Sequence, residues 1–211
     1  MQYTIFDTPV VRTFFHYFSR LWLFAAGWKT QGNPPDEPKY VLIAAPHTSN
    51  WDFVYTLLIA FTYKIKVFWM GKSSLFAGWR GPVMRWLGGI AVVREKSTNM
   101  VERQIAEFEK HDRLILIVPP EGTRGHVTYW KTGFYHIAHG ANVPIGMGFI
   151  DFGRKTGGFG PAFTPTGDIE KDMAEVKLFY AGIKGKRADL FSKESIGVKT
   201  EDDGGSGKKA A

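Results

Sequence analysis

The 211-residue chain has no cysteine. Disulfides, a thiol nucleophile and thiolate-held metals are therefore excluded, and a reducing compartment fits the composition. Uncharged apolar runs are short. Arg12 and Arg20 interrupt the only contender, so a conventional spanning helix, which needs about 18 such residues, is not expected. The opening MQYTIFD lacks the basic stretch of a secretory signal. Acidic residues are in deficit: 20 Asp and Glu against 27 Lys and Arg leave a formal charge of +7. That excess calls for an anionic partner, whether lipid headgroups, a phosphorylated substrate or nucleic acid. What is plentiful is aromatic, at 15% with 17 Phe and 7 Trp. Trp and Tyr concentrate where one side is apolar and the other wet, which makes a membrane surface a candidate. The length suits one packed core.

Thr8 followed by Pro9 reads as an N-cap and first-turn proline opening a helix to about Gly27. Arg12, His16 and Arg20 recur every four residues and predict a polar stripe, with Phe14, Phe18 and Trp22 among the apolar remainder. That pattern predicts an interfacial helix, against the alternative of a helix packed on the core. The expected organisation is residues 1–29 as a membrane-associated helix, 30–39 as a Pro-rich linker, 40–198 as the main domain and 199–211 as a disordered tail.

Within the main domain, short apolar runs alternate with helical patterns. The runs are Tyr40–Ala45, Lys66–Met70, Ile90–Val93, Leu114–Val118 and Val143–Ile150. Between and after them, helices are expected from Ser49 or Asn50 to about Tyr63, around Phe76–Leu87, Thr98–Lys110, Lys131–His139, and from an Asp168 cap to about Ile183. Continuous rather than alternating apolar strands predict an α/β fold, its mostly parallel sheet covered by helices on both faces.

In such sheets reactive groups gather past the carboxyl ends of strands. His47 follows the first run by two residues, Arg94 directly follows the third, and Glu121 and Arg124 follow the fourth. These clusters should line one crevice. His47 and Asp52, in HTSNWD, span a strand-to-helix turn, where a carboxylate can accept the Nδ1 proton and leave Nε2 to take a proton from a hydroxyl. Alone, the pair equally suits a histidine at a helix start. The turn Pro119–Gly125 (PPEGTRG) supplies a close-approach glycine, Gly122, the hydroxyl of Thr123 and the forked cation of Arg124, a set suited to a phosphate or polar headgroup. A tight loop closed by a Glu121–Arg124 pair is the plainer alternative. His136 and His139 lack carboxylate partners at ligand spacing and read as helix-face residues, so no metal site is expected.

Taken in order, His47 with Asp52, Gly89 to Arg94 (GIAVVR), Pro120 to Arg124 (PEGTR) and Val143 to Ile145 (VPI) resemble the four blocks of the glycerolipid acyltransferases. The type members of that family are the 1-acyl-sn-glycerol-3-phosphate acyltransferases. The resemblance covers about residues 40 to 150, including Lys131 to Gly133 (KTG) between the third and fourth blocks. It implies that His47 is the general base and Asp52 its partner. It also implies that Arg94, Glu121, Gly122, Thr123, Arg124 and Lys131 bind the phosphorylated acceptor, and that Pro144 shapes the acyl or acceptor pocket. Pro46 stands where the family usually has Asn, Pro119 replaces an aromatic, Gly125 the usual Ser, and Met147 a second proline. The catalytic pair is untouched, whereas the acceptor side departs from the pattern.

The activity so implied is transfer of a fatty acyl group from acyl-CoA or acyl-ACP to a lysophospholipid hydroxyl, giving phosphatidic acid when the acceptor is 1-acyl-glycerol-3-phosphate. The thioester is a co-substrate and no cofactor is expected. The partners expected are membrane lipid, the acyl thioester and, as a donor carrier, acyl carrier protein, with the enzyme peripheral or monotopic on the cytoplasmic face of the membrane. Without a cysteine or a G-x-S-x-G elbow, direct attack is favoured over an acyl-enzyme. Two rivals are another acceptor, a lyso-aminolipid or other lyso-lipid or an amphiphilic alcohol, and a non-catalytic lysolipid binder. The His47/Asp52 pair argues against the second, because sequestration needs no base. Nucleic acid is not an expected partner, since the basic residues are dispersed and no binding motif appears.

Overall fold

The computed structural model describes residues 2–92, 98–191 and 195–196. Its seven-stranded sheet has the order β1-β7-β6-β2-β5-β3-β4. The strands are β1 (Lys29–Gln31), β2 (Lys39–Ala45), β3 (Phe68–Lys72), β4 (Gly89–Val92), β5 (Leu114–Val118), β6 (Ile145–Asp151) and β7 (Thr156–Phe163). Strands β2 to β6 are mutually parallel, β7 is antiparallel to β6, and β1 runs parallel to β7. The helices are α1 (Pro9–Ala25), α2 (Asn50–Thr62), α3 (Arg80–Trp86), α4 (Thr98–Lys110), α5 (Gly133–Gly140) and α6 (Ile169–Tyr180).

Strand periodicity sorts the core. Val41, Ile43, Leu114, Leu116, Val118, Ile145 and Met147 point to one face, where they pack with Phe134 and Ile137 of α5 and Val176 and Tyr180 of α6. Tyr40, Leu42 and Ile117 point to the other, against Leu58, Ile59 and Phe61 of α2 and Leu23 of α1. Both faces are covered, which is why these strands read as continuous apolar runs.

Three expectations need correction. The linker begins later than residue 30, because Thr30 and Gln31 belong to β1 and pair with Gly157 and Gly158. A Cβ on Gly158 would collide with the Gln31 carbonyl, so β1 can lie against β7 only where that position is glycine. The stretch read as one aromatic helix is a 3-10 turn, Ser73–Phe76, followed by the short α3. His16 is no part of an exposed stripe: it is buried, its Nδ1 lying 3.1 Å from the Phe61 carbonyl oxygen of α2. Helix α1 therefore docks through Phe15, His16, Ser19 and Leu23, while Val10, Phe14, Tyr17, Leu21 and Phe24 project from its opposite side into solvent. One face of α1 is packed on the core and the other leaves large apolar side chains in solvent.

Candidate active site

Strand β2 ends at Ala45, and Pro46 leads to His47 at the carboxyl end of the sheet. Helix α2 starts three residues later because Ser49 caps it. Its Oγ accepts from Trp51 N at 3.1 Å, and the Ser49 amide donates to Asp52 Oδ2 at 2.6 Å. This Ser-x-x-Asp box supplies partners for amides that a helix start leaves free. Thr48 N donates to the same oxygen at 2.6 Å, and Ser49 Oγ donates to Asp52 Oδ1 at 3.0 Å. Asp52 is thus a buried, well-anchored carboxylate. Its Oδ2 lies 3.6 Å from His47 Nδ1, at ion-pair distance and just beyond a hydrogen bond. His47 is half-buried.

Burial lowers the His47 pKa below the ordinary 6.5, Asp52 pulls it back up, and the Arg124 charge lowers it again. The lowering favours the neutral imidazole, the form that can accept a proton.

Glu121 arrives from the next strand, two residues beyond Pro119 at the end of β5, and is buried. Its Oε1 accepts from His47 N at 3.0 Å, whereas Oε2 is buried with no hydrogen-bond partner among the described residues. Burial pushes its pKa up to about 7, with two amide hydrogen bonds opposing and the Asp52 charge adding to the rise. Glu121 therefore braces the His47 backbone from within and does not pair with the exposed Arg124. Gly122 has φ +63, a conformation that favours glycine, and a Cβ there would come within 3.2 Å of the Lys131 side chain. Lys131 is held there by its own amide, which donates to Pro120 O at 2.9 Å. Thr123 Oγ1 accepts from Gly125 N at 3.3 Å, which tightens the turn.

The structure thus gathers His47, Asp52, Glu121, Gly122, Thr123, Arg124 and Lys131 past the ends of β2 and β5. Pro144 is elsewhere. Its carbonyl accepts from Val41 N at the opposite end of the sheet, four strand residues, about 13 Å, before Ala45. Arg94 lies outside the described residues. Sequence reasoning missed Thr48, whose amide helps to anchor Asp52; nothing in the local pattern marks it. Ser49 did carry a signal, the three-residue spacing to Asp52. A separate cleft of about 470 Å³ at the β1–β7 edge is lined by Phe149, Phe159, Phe179 and Ile183 and by none of the site residues above.

Fold and site together define an α/β protein with a histidine–aspartate pair at the carboxyl ends of parallel strands and cations beside it. Residues 29–146 match the model of the Acyltransferase family, more than half of the chain, and the protein belongs to that family as an acyltransferase enzyme. Among solved structures it is similar to the 1-acyl-sn-glycerophosphate (LPA) acyltransferase PlsC from Thermotoga maritima. That similarity has 18% identity and a TM-score of 0.53, covers 79% of this chain and 74% of that one, and establishes a shared fold. No curated protein matches the chain.

Proposed function

We propose that this acyltransferase moves a fatty acyl group from an acyl-CoA or acyl-ACP thioester to the free hydroxyl of a lysophospholipid, 1-acyl-glycerol-3-phosphate first among them. The observation that carries the reading is His47 at the carboxyl end of β2, its Nδ1 3.6 Å from the anchored Asp52 carboxylate and its side chain partly exposed. Nε2 takes the acceptor proton as the hydroxyl oxygen attacks the thioester carbonyl. The C–S bond then breaks, and the imidazolium returns the proton to the leaving thiolate. Asp52 stabilises that imidazolium and holds the ring orientation. Arg94, Thr123, Arg124 and Lys131 serve the acceptor phosphate in this reading, Arg124 through a bidentate fork.

Docking at the cytoplasmic face of a membrane is part of the proposal. Phe24 is 82% exposed, Leu21 67% and Phe14 60%, an apolar face beside Arg12 and Arg20 that suits a lipid interface. Trp79, 79% exposed with the Arg80 guanidinium 5.7 Å from its ring centroid, adds a second aromatic and basic contact. Among the described residues, no helix is long and apolar enough to cross a membrane.

The test is mass spectrometry of lipids formed by the purified protein from lysolipid mixtures and acyl thioesters. Acylated phospholipid should appear with wild type and be nearly absent with His47→Ala. Lysolipid binding with no product from any acceptor would instead leave the non-catalytic binder standing. A panel of acceptors with one donor decides among headgroups.

A further inference from the structure

The segment after α6 returns to the site on the flank opposite Glu121, beside β6 where Glu121 stands beside β5. It carries Lys184, Lys186 and Arg187, and three contacts fix its backbone. Phe152 N donates to Lys184 O at 2.9 Å. Arg187 N donates to Thr48 Oγ1 at 3.2 Å, and Thr48 is the buried neighbour of His47. Between them Gly185 packs so closely that a Cβ would lie 2.7 Å from Thr48 Oγ1 and 3.3 Å from Pro46 Cβ.

The backbone is tethered to the His47 loop, while the side chains reach solvent. The Lys186 ammonium lies 4.5 Å from the Trp51 ring centroid and 5.8 Å from that of Phe152. Ring faces hold the cation without consuming its N–H donors. Arg187 comes only to 3.9 Å from Asp189, with both side chains more than 60% exposed, a contact worth little. Among the described residues, neither Lys184 nor Lys186 pairs with a carboxylate. Three cations on a fixed backbone beside His47 make a ready anion subsite.

Acyl transfer brings two substrates to one histidine. The cations of the β5 flank serve the acceptor in the reading above, which leaves the β6 flank for the donor. Resting on that reading, the geometry points to Lys184, Lys186 and Arg187 as the subsite for the phosphate of a phosphopantetheine thioester. That group is common to coenzyme A and acyl carrier protein.

The experiment compares wild type with the triple variant Lys184→Ala/Lys186→Ala/Arg187→Ala. The donors are acyl-CoA, acyl-4′-phosphopantetheine, acyl carrier protein thioester and acyl-pantetheine, which lacks the phosphate. Donor KM should rise about 10- to 100-fold for the phosphate-bearing donors, the scale of lost charge-assisted contacts. With acyl-pantetheine, the two proteins should share one KM. A rise on all three phosphate-bearing donors identifies phosphopantetheine itself, whereas a rise on acyl-CoA alone would overturn that assignment in favour of the further phosphates of coenzyme A. An equal rise with acyl-pantetheine, a rise in acceptor KM instead, or lost liposome binding with donor KM unchanged would each overturn the subsite. Equilibrium dialysis with coenzyme A alone separates this inference from the reaction. Binding lost in the triple variant of a protein that transfers no acyl group keeps the subsite and removes the activity. Unchanged binding in the variant of an active enzyme does the reverse. Circular dichroism and the conservative Lys186→Arg, which should restore most of the affinity in a Lys184→Ala/Arg187→Ala background relative to the triple, control for folding.

Discussion

At His47 burial and two neighbours compete, and their balance lowers its pKa below the ordinary 6.5. If His47 is the base, the acid limb of kcat/KM against pH should inflect below the ordinary 6.5, because burial and Arg124 outweigh Asp52, and Arg124→Gln should move it upward. An inflection above 6.5 in wild type would contradict the assignment. His47→Ala should lower turnover by about 10²–10⁴-fold in folded protein. Asp52→Asn should act in the same direction and, because Asp52 also closes the capping box of α2, cost about 1 kcal/mol of stability that His47→Ala does not. Glu121 responds to pH in the opposite sense. Its folded pKa, about 7, exceeds the ordinary 4.5, so between these values the folded protein keeps a proton that the unfolded chain has released. Its stabilising contribution is complete below pH 4.5 and is lost as pH rises through 7. Glu121→Gln cannot titrate, so its melting temperature relative to wild type should be more favourable at pH 8 than at pH 5. Thermal melts at the two pH values check this, and a constant difference would remove Glu121 from the linkage.

At the scale of the element, α1 has two unlike faces, one packed on the core and one exposed. Deleting residues 1–27 would uncover the buried cluster of α2 along with removing the exposed aromatics, so truncation is expected to unfold the protein and cannot test membrane docking. Point changes can. Phe14→Ser/Leu21→Ser/Phe24→Ser should keep the fold and weaken liposome cosedimentation more than Arg12→Ala/Arg20→Ala. Only the second loss should be mimicked by high salt, because screening acts on charge and not on apolar burial. Undiminished sedimentation of the first variant would move the membrane contact off α1.

For the whole molecule, two clusters on either side of one sheet carry the stability. Leu116 on β5 is fully buried at the centre, so Leu116→Ala should cost about 2–5 kcal/mol in denaturant unfolding. Leu178 on α6 is 80% exposed, and Leu178→Ala should stay within about 0.5 kcal/mol. Equal losses would mean that the exposed face of α6 is covered in solution.

The five parallel strands were legible in the amino-acid sequence as apolar runs, most plainly β2, β5 and β6, where burial on both faces leaves a signal each segment carries alone. Helix α4 was legible to its ends, and His47, Asp52 and the Glu121–Arg124 turn were legible as strand-end positions, since reactive groups there follow from chain order. Strands β1 and β7 were not. Thr156–Phe163 holds three glycines and a proline, poor strand formers, and becomes a strand because β6 offers its edge and Gly158 lets β1 approach. Long-range contacts likewise decided that His16 turns inward to Phe61, that Glu121 braces His47 while Pro144 sits at the far end of the sheet, and that Lys184–Arg187 returns to Thr48 across 139 residues. A residue's periodicity says which face it belongs to; only the packed fold says what that face meets.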